Sequence, residues 1–113
     1  MHEVSIAEAI VQAAQGTLTS PDERVTRVRL RVGGLAGVVE SSLVFAFDVV
    51  VSGTALDGAE LVVEHVPIRV RCPRCGEQEL PSARDFRCPA CGDLCGELVQ
   101  GRELEIVDVA IED

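Results

Sequence analysis

The stretch CPRCGEQELPSARDFRCPAC, Cys72 to Cys91, decides how the rest of the chain is read. It holds two Cys-x2-Cys pairs, Cys72/Cys75 and Cys88/Cys91, with twelve residues between them. Each pair is a tight knuckle that aims two sulfurs at one point. The loop between them lets the knuckles face each other and close a tetrahedron with arms of about 2.3 Å around one ion. That geometry suits zinc. Two disulfides, or four buried thiols acting as small apolar groups, are the alternatives, and the paired spacing fits them less well. Only Leu80 and Phe86 in this stretch are sizeable apolar side chains, so metal binding rather than burial is expected to hold it together.

Working outward, the stretch is entered from Glu60–Arg71 and left through Gly96 and Gly101 into Glu103–Glu112, both of which read as strands. Pro67 marks the first as an edge or bulged strand. A third strand is expected at Arg24–Val32 (RVTRVRLRV), where Val28, Leu30 and Val32 alternate with Arg27, Arg29 and Arg31. The arginine face reads as a solvated surface paired with carboxylates rather than as a nucleic-acid platform. Two segments read as helices. Ser5–Ala14 places Ile6, Ile10, Ala13 and Ala14 on one face, with Ser5 and Glu8 at the capping-box spacing and Gly16 as a stop. Glu40–Val51 repeats Leu43, Phe47 and Val50 at helical spacing and places Phe45 and Phe47 in the core. The intervening GGLAG turn lacks both a Walker lysine and the full dinucleotide fingerprint. The expected fold is α+β: a small three-stranded mixed or antiparallel sheet with two helices, plus an inserted four-cysteine zinc-ribbon module. Residues 1–71 and 96–113 would form the α/β domain and 72–95 the module.

A chain of 113 residues supports one modest core. With 47% hydrophobic and 26% charged residues, neither disorder nor a membrane protein is indicated. Glu3 and Glu8 stand where a signal peptide would be basic, and a cytoplasmic location, where thiols stay reduced, is the expectation. The formal charge of −9 falls to about −11 once four thiolates and a divalent ion are counted, which disfavours nucleic acid and anionic membranes. All ten cations are arginines. Arg71, Arg74, Arg84 and Arg87 lie within four residues of a paired cysteine, either to offset the tetrathiolate or as ordinary surface residues. Cys95 is a surplus thiol, read as a free, partly buried cysteine rather than an alternative ligand, and His65 as an ordinary strand histidine.

The first residues, Met1-His2-Glu3, place a free amine and an imidazole on neighbouring residues with the His2 amide between them. If a metal displaces the amide proton, amine, amide nitrogen and Nδ1 bind as fused five- and six-membered rings in one plane, a geometry that suits Ni(II) or Cu(II) rather than tetrahedral zinc. The Glu3 amide, the Glu3 carboxylate and water are the candidates for the fourth position. Both the imidazole and the amine must shed protons to bind, so affinity is expected to fall as pH drops through neutrality.

Taken together, MHEVSIAEAI, RVTRVRLRVGGLAGV, LVFAFDVVVSGT, the CPRC and CPAC knuckles and GRELEIVDVAIED resemble the HypA/HybF family of hydrogenase-maturation nickel metallochaperones over essentially the whole chain. The resemblance implies a nickel carrier, not an enzyme: transferable Ni(II) held by His2 with Met1 and Glu3, and structural Zn(II) held by Cys72, Cys75, Cys88 and Cys91. It also implies a GTPase nickel-insertion partner, a hydrogenase large-subunit precursor as client, urease maturation factors in some organisms, and a monomer or weak homodimer. A zinc-ribbon interaction or nucleic-acid module without nickel transfer is the competing reading, and an iron-binding electron carrier would share the four sulfurs.

Overall fold

The computed structural model describes residues 2–113. Two helices and six strands follow in the order α1 Glu3–Gln15, β1 Arg24–Gly33, α2 Glu40–Val50, β2 Glu60–Val66, β3 Arg69–Cys72, β4 Gly76–Glu79, β5 Glu97–Gln100 and β6 Leu104–Glu112. They form two three-stranded sheets, β2-β1-β6 and β4-β3-β5. The described residues divide into two compact units, one of residues 2–30, 38–64 and 106–113 and the other of 31–37 and 65–105, so the division falls across β1, β2 and β6. The α+β class with two helices and a four-cysteine cluster is as expected, with a second small sheet in the cysteine unit.

In the first unit, α1 and α2 pack together. The largest fully buried side chains there are Phe47, Leu30, Leu43 and Leu56. β1 buries Val28 and Leu30 by the expected alternation, and two of its outward arginines meet carboxylates of β6: Arg29 to Asp108 at 2.7 Å and, in the other unit, Arg31 to Glu105 at 3.7 Å. Such exposed pairs fix register more than they stabilise.

Three expectations are corrected here. α1 starts at Glu3, not Ser5, because the His2 carbonyl accepts the first helical bond from the Ile6 amide at 3.0 Å, so no Ser5 capping box forms. Its buried face is accordingly Ala7, Ile10, Val11 and Ala14, with Ala13 turned to solvent. Phe45 is not core: it sits about 200° around α2 from both Leu43 and Phe47 and is 72% exposed. Finally, Glu60–Arg71 is two strands rather than one, because Pro67 lacks an amide to continue the ladder.

The second unit has a small apolar cluster of Ile68, Val70, Cys72, Leu80, Cys88 and Cys95, with Leu35, Phe86 and Leu98 packed against it. Most of these lie outside Cys72–Cys91, which is why that stretch alone looks too polar to fold. The central strand β3 pairs antiparallel with β4 and β5, and Arg71 sits opposite both Glu77 and Glu97, reaching them at 3.5 and 3.2 Å. Within the same unit Gly33 and Gly101 meet backbone to backbone. A Cβ on Gly33 would lie 2.1 Å from the Gly101 carbonyl oxygen, and the Gly33 amide donates to Glu103 at 2.7 Å. Gly33→Ala is therefore expected to cost about 1–3 kcal/mol through overpacking, whereas Gly96→Ala, with open space and no positive φ, stays within about 0.5 kcal/mol. The midpoints of urea unfolding for the two variants test this.

Candidate metal centres

Both cysteine pairs are read from the backbone up as the tips of hairpins. The sequence Cys-Pro-x-Cys-Gly occurs twice, CPRCG at 72–76 and CPACG at 88–92. The glycine closing each turn has a positive φ, 78° at Gly76 and 83° at Gly92, where an L side chain would be strained. The first tip joins β3 to β4, with Cys72 opposite Gly76. The second closes through Cys88 N–H to the Asp93 carbonyl (2.7 Å), Gly92 N–H to the Cys88 carbonyl (2.8 Å) and Cys95 N–H to the Phe86 carbonyl (3.0 Å). The Arg74 guanidinium of one knuckle meets the Asp93 carboxylate of the other at 3.1 Å.

The two tips bring the sulfurs of Cys72, Cys75, Cys88 and Cys91 within 4.8 Å of one another. The Cys72 and Cys91 sulfurs are 3.6 Å apart, close to the edge of about 3.8 Å that a tetrahedron with 2.3 Å arms requires. All five cysteines are free thiols, so the disulfide alternative is not realised. Cys72 and Cys88 are buried while Cys75 and Cys91 are exposed. A closed set of four soft donors fits zinc, and it leaves no coordination position for a substrate.

Proton affinities within the set are uneven. Amide donors from Arg74 and Cys75 hold the Cys72 thiol down at about 7, below its ordinary 9.0. Sulfurs of Cys91 and Cys88 push Cys75 up to about 12. The Asp93 amide pulls Cys91 down, but burial and the neighbouring Cys72 and Cys88 sulfurs together leave it above its ordinary value. Cys95 lies beneath the cage, buried with Cys72 and Cys88 and more deeply than the sequence suggests; burial first, then the charges of Cys72 and Cys88, raise its thiol. It is not among the four converging sulfurs and has the character of an inert core thiol.

Three of the four flanking arginines meet carboxylates: besides Arg71 and Arg74, Arg87 binds Asp85 at 3.0 Å. The charge pattern is that of a paired protein surface, unlike the basic face that nucleic acid requires.

At the start of the chain, His2 is exposed at the N-cap of α1 and its side chain makes no capping hydrogen bond. Met1 lies outside the described residues, so its part in the expected nickel site is not described. Glu3 is 9% exposed, and its Oε2 accepts a hydrogen bond from the Val39 amide at 3.3 Å. Val39 is the N-cap of α2 and has no side-chain cap of its own. A carboxylate from α1 thus does for α2 what a capping-box glutamate ordinarily does within one helix. No sequence rule linking positions 36 residues apart could have found this contact. His65 is an exposed residue of β2.

The family model described as hydrogenase/urease nickel incorporation, metallochaperone, HypA matches residues 1–111. The chain belongs to the HypA family. It is 49% identical over 109 residues to the hydrogenase maturation factor HypA of Chloroflexus aggregans, covering 95% of this chain and 96% of that one. It is 46% identical over 116 residues to the factor of the same name from Streptomyces avermitilis, covering 100% and 88%. The fold matches the solution structure of the Ni metallochaperone HypA from Helicobacter pylori with a TM-score of 0.64, at 18% identity and 96% coverage of both chains. The HypA family is one of metallochaperones and maturation factors. Among the described residues no helix is long and apolar enough to cross a membrane.

Because binding needs thiolates, falling pH favours the proton over the metal, and the loss steepens as Cys72 protonates below about 7. A chelator is expected to strip zinc faster at pH 6 than at pH 8 and to raise amide hydrogen exchange in β3, β4 and β5. Under the same assay, Cys95→Ser should retain one zinc per chain. Cys75→Ser should weaken zinc by more than the ~10–100-fold that loss of an outer-shell partner costs. Metal analysis after dialysis reads both.

Proposed function

We propose that this chain carries Ni(II) on its N-terminal residues for insertion into a hydrogenase precursor, working with a GTPase partner, and that Cys72, Cys75, Cys88 and Cys91 hold a structural Zn(II). The observation that carries the reading is family membership over residues 1–111, which takes in Met1-His2-Glu3 and both knuckles. The same family description leaves urease maturation as a second client route.

Geometry at the first residues supports it. His2 stands at the start of a helix with its imidazole uncapped and exposed, and the amides of the first turn have no helical acceptor to give up. An amine from Met1, the deprotonated His2 amide and the His2 Nδ1 form a tridentate plane around the metal. In that plane the amide has two neighbouring positions, and the amine and imidazole take both. The position left lies opposite the His2 amide, beyond the span of a five-membered ring through the Glu3 amide. A water or a donor from the receiving protein fills it, which gives a carrier both hold and release. Glu3 serves this site by fixing the start of α2 against α1, its carboxylate being engaged by Val39.

His2→Ala is expected to abolish tight nickel binding and leave one zinc per chain, and an N-terminal tag that acylates the amine should do the same. Nickel titration followed by the planar Ni(II) absorbance, beside zinc analysis, decides the matter; an unchanged planar band in His2→Ala places nickel elsewhere. Glu3→Gln, which keeps an acceptor for Val39, should bind nickel within about threefold of the parent, while Glu3→Ala should lower stability by about 0.5–2 kcal/mol as a lost cap. A tenfold or greater loss of nickel affinity in Glu3→Gln would make the carboxylate a ligand.

A further inference from the structure

α2 is apolar on two opposite faces. Leu43 and Phe47 are buried, while Phe45 and Val49, one turn apart, point outward at 72% and 60% exposure. A helix with this pattern ordinarily has cover on both sides. Beside the outward face runs a groove of about 470 Å³, lined by Glu3, Val4, Phe45, Ala46, Val49 and Val50, so both helices of the first unit contribute to it. Val4, 58% exposed, is the α1 contribution to its apolar wall. The volume alone would admit a small molecule, but walls this exposed cannot enclose most of a ligand's surface, as small-molecule sites do. They suit the side chains of a protein segment laid across them.

Charge narrows the occupant. Residues 1–23 and 32–68 contain no Lys or Arg, and the ionisable residues of the two helices are Glu3, Glu8, Glu40 and Asp48, all acidic. Glu8 follows Val4 by one turn of α1 and Asp48 follows Phe45 by one turn of α2, and both are exposed, so the apolar strip is flanked by anions. Nucleic acid and anionic lipid are repelled by such a rim. A second copy docked two-fold would set the same acidic residues against themselves. A segment with apolar side chains flanked by Lys or Arg matches both features.

We infer that this groove seats a cationic amphipathic segment, apolar side chains inward, of the GTPase partner that works with this chain under the proposed function. The inference rests on the proposed nickel site, because Glu3 lines the groove and is the residue next to His2: whatever docks there is brought beside the donor imidazole. Phe45 and Val49 then act as the anchor, and Glu8 and Asp48 as steering charges.

The test titrates full-length, zinc-loaded, isotope-labelled chain with the purified GTPase partner. Methyl and ring signals of Val4, Phe45 and Val49 are expected to shift more than those of Val70 and Leu98 in the cysteine unit. Phe45→Ser should weaken association at least tenfold while still binding one nickel with parental affinity. Glu8→Gln with Asp48→Asn should flatten the dependence of affinity on salt. Parental affinity in Phe45→Ser, shifts confined to residues 65–105, or no association at all would overturn the inference. So would groove signals that move with the chain's own concentration, since a second copy would then be the occupant. Nickel binding is measured on the same samples: a native N-terminus that takes up no nickel defeats the nickel reading, whereas nickel uptake with an unperturbed groove defeats this inference alone.

Discussion

Four sulfur atoms held within 4.8 Å of one another cannot all be ionised unless a cation stands among them. The same constraint sets the thiols apart: two donating amides hold Cys72 down at about 7, while the sulfurs of Cys91 and Cys88 push Cys75 up to about 12. A divalent ion removes the conflict by ligating all four. The apolar cluster of the unit around the cage is small and includes three cysteines, Cys72, Cys88 and Cys95, so on the proposed reading the metal would add to what holds it together.

Closure of that cage is also what separates it from the proposed nickel site. Four soft donors in a tetrahedron leave no position for an incoming ligand, which suits a fixed metal and would slow transfer of a moving one. An N-terminal amine, amide and imidazole are nitrogen donors that favour a plane with one position left over, and His2 is exposed enough for another protein to approach. On the proposed reading the two metals would be sorted by donor softness and geometry. Glu3 would join the proposed nickel site to its surroundings: its carboxylate accepts from Val39 at the α2 N-terminus, and the residue lines the groove of Phe45 and Val49.

Much of this was legible in the chain. The Cys-x2-Cys spacing gave the cage because ligand geometry is local to each knuckle, and the alternation through Val28, Leu30 and Val32 gave β1 because one face is buried and the other wet. The repeated glycine after each pair was a further signal, since only a left-handed residue closes those turns. What escaped depends on distant partners. β4 is short and polar and β5 is short with Leu98 packed inward, and both are strands because β3 offers each of them an antiparallel backbone partner. The start of α1 was placed at Ser5 because capping rules see only neighbouring residues, whereas a backbone bond from Ile6 to His2 fixes it at Glu3. Phe45 was assigned to the core because hydrophobicity does not reveal which apolar face of a helix is left uncovered.

The central claim is that two metals occupy two different donor sets on one chain. X-ray absorption at the zinc and nickel edges of a single sample, prepared with a native N-terminus and one equivalent of each metal, tests it most directly. The account predicts zinc with four sulfur neighbours at about 2.3 Å and nickel with light nitrogen or oxygen neighbours only. Sulfur in the nickel shell, or zinc displaced from its four sulfurs as nickel binds, would contradict it.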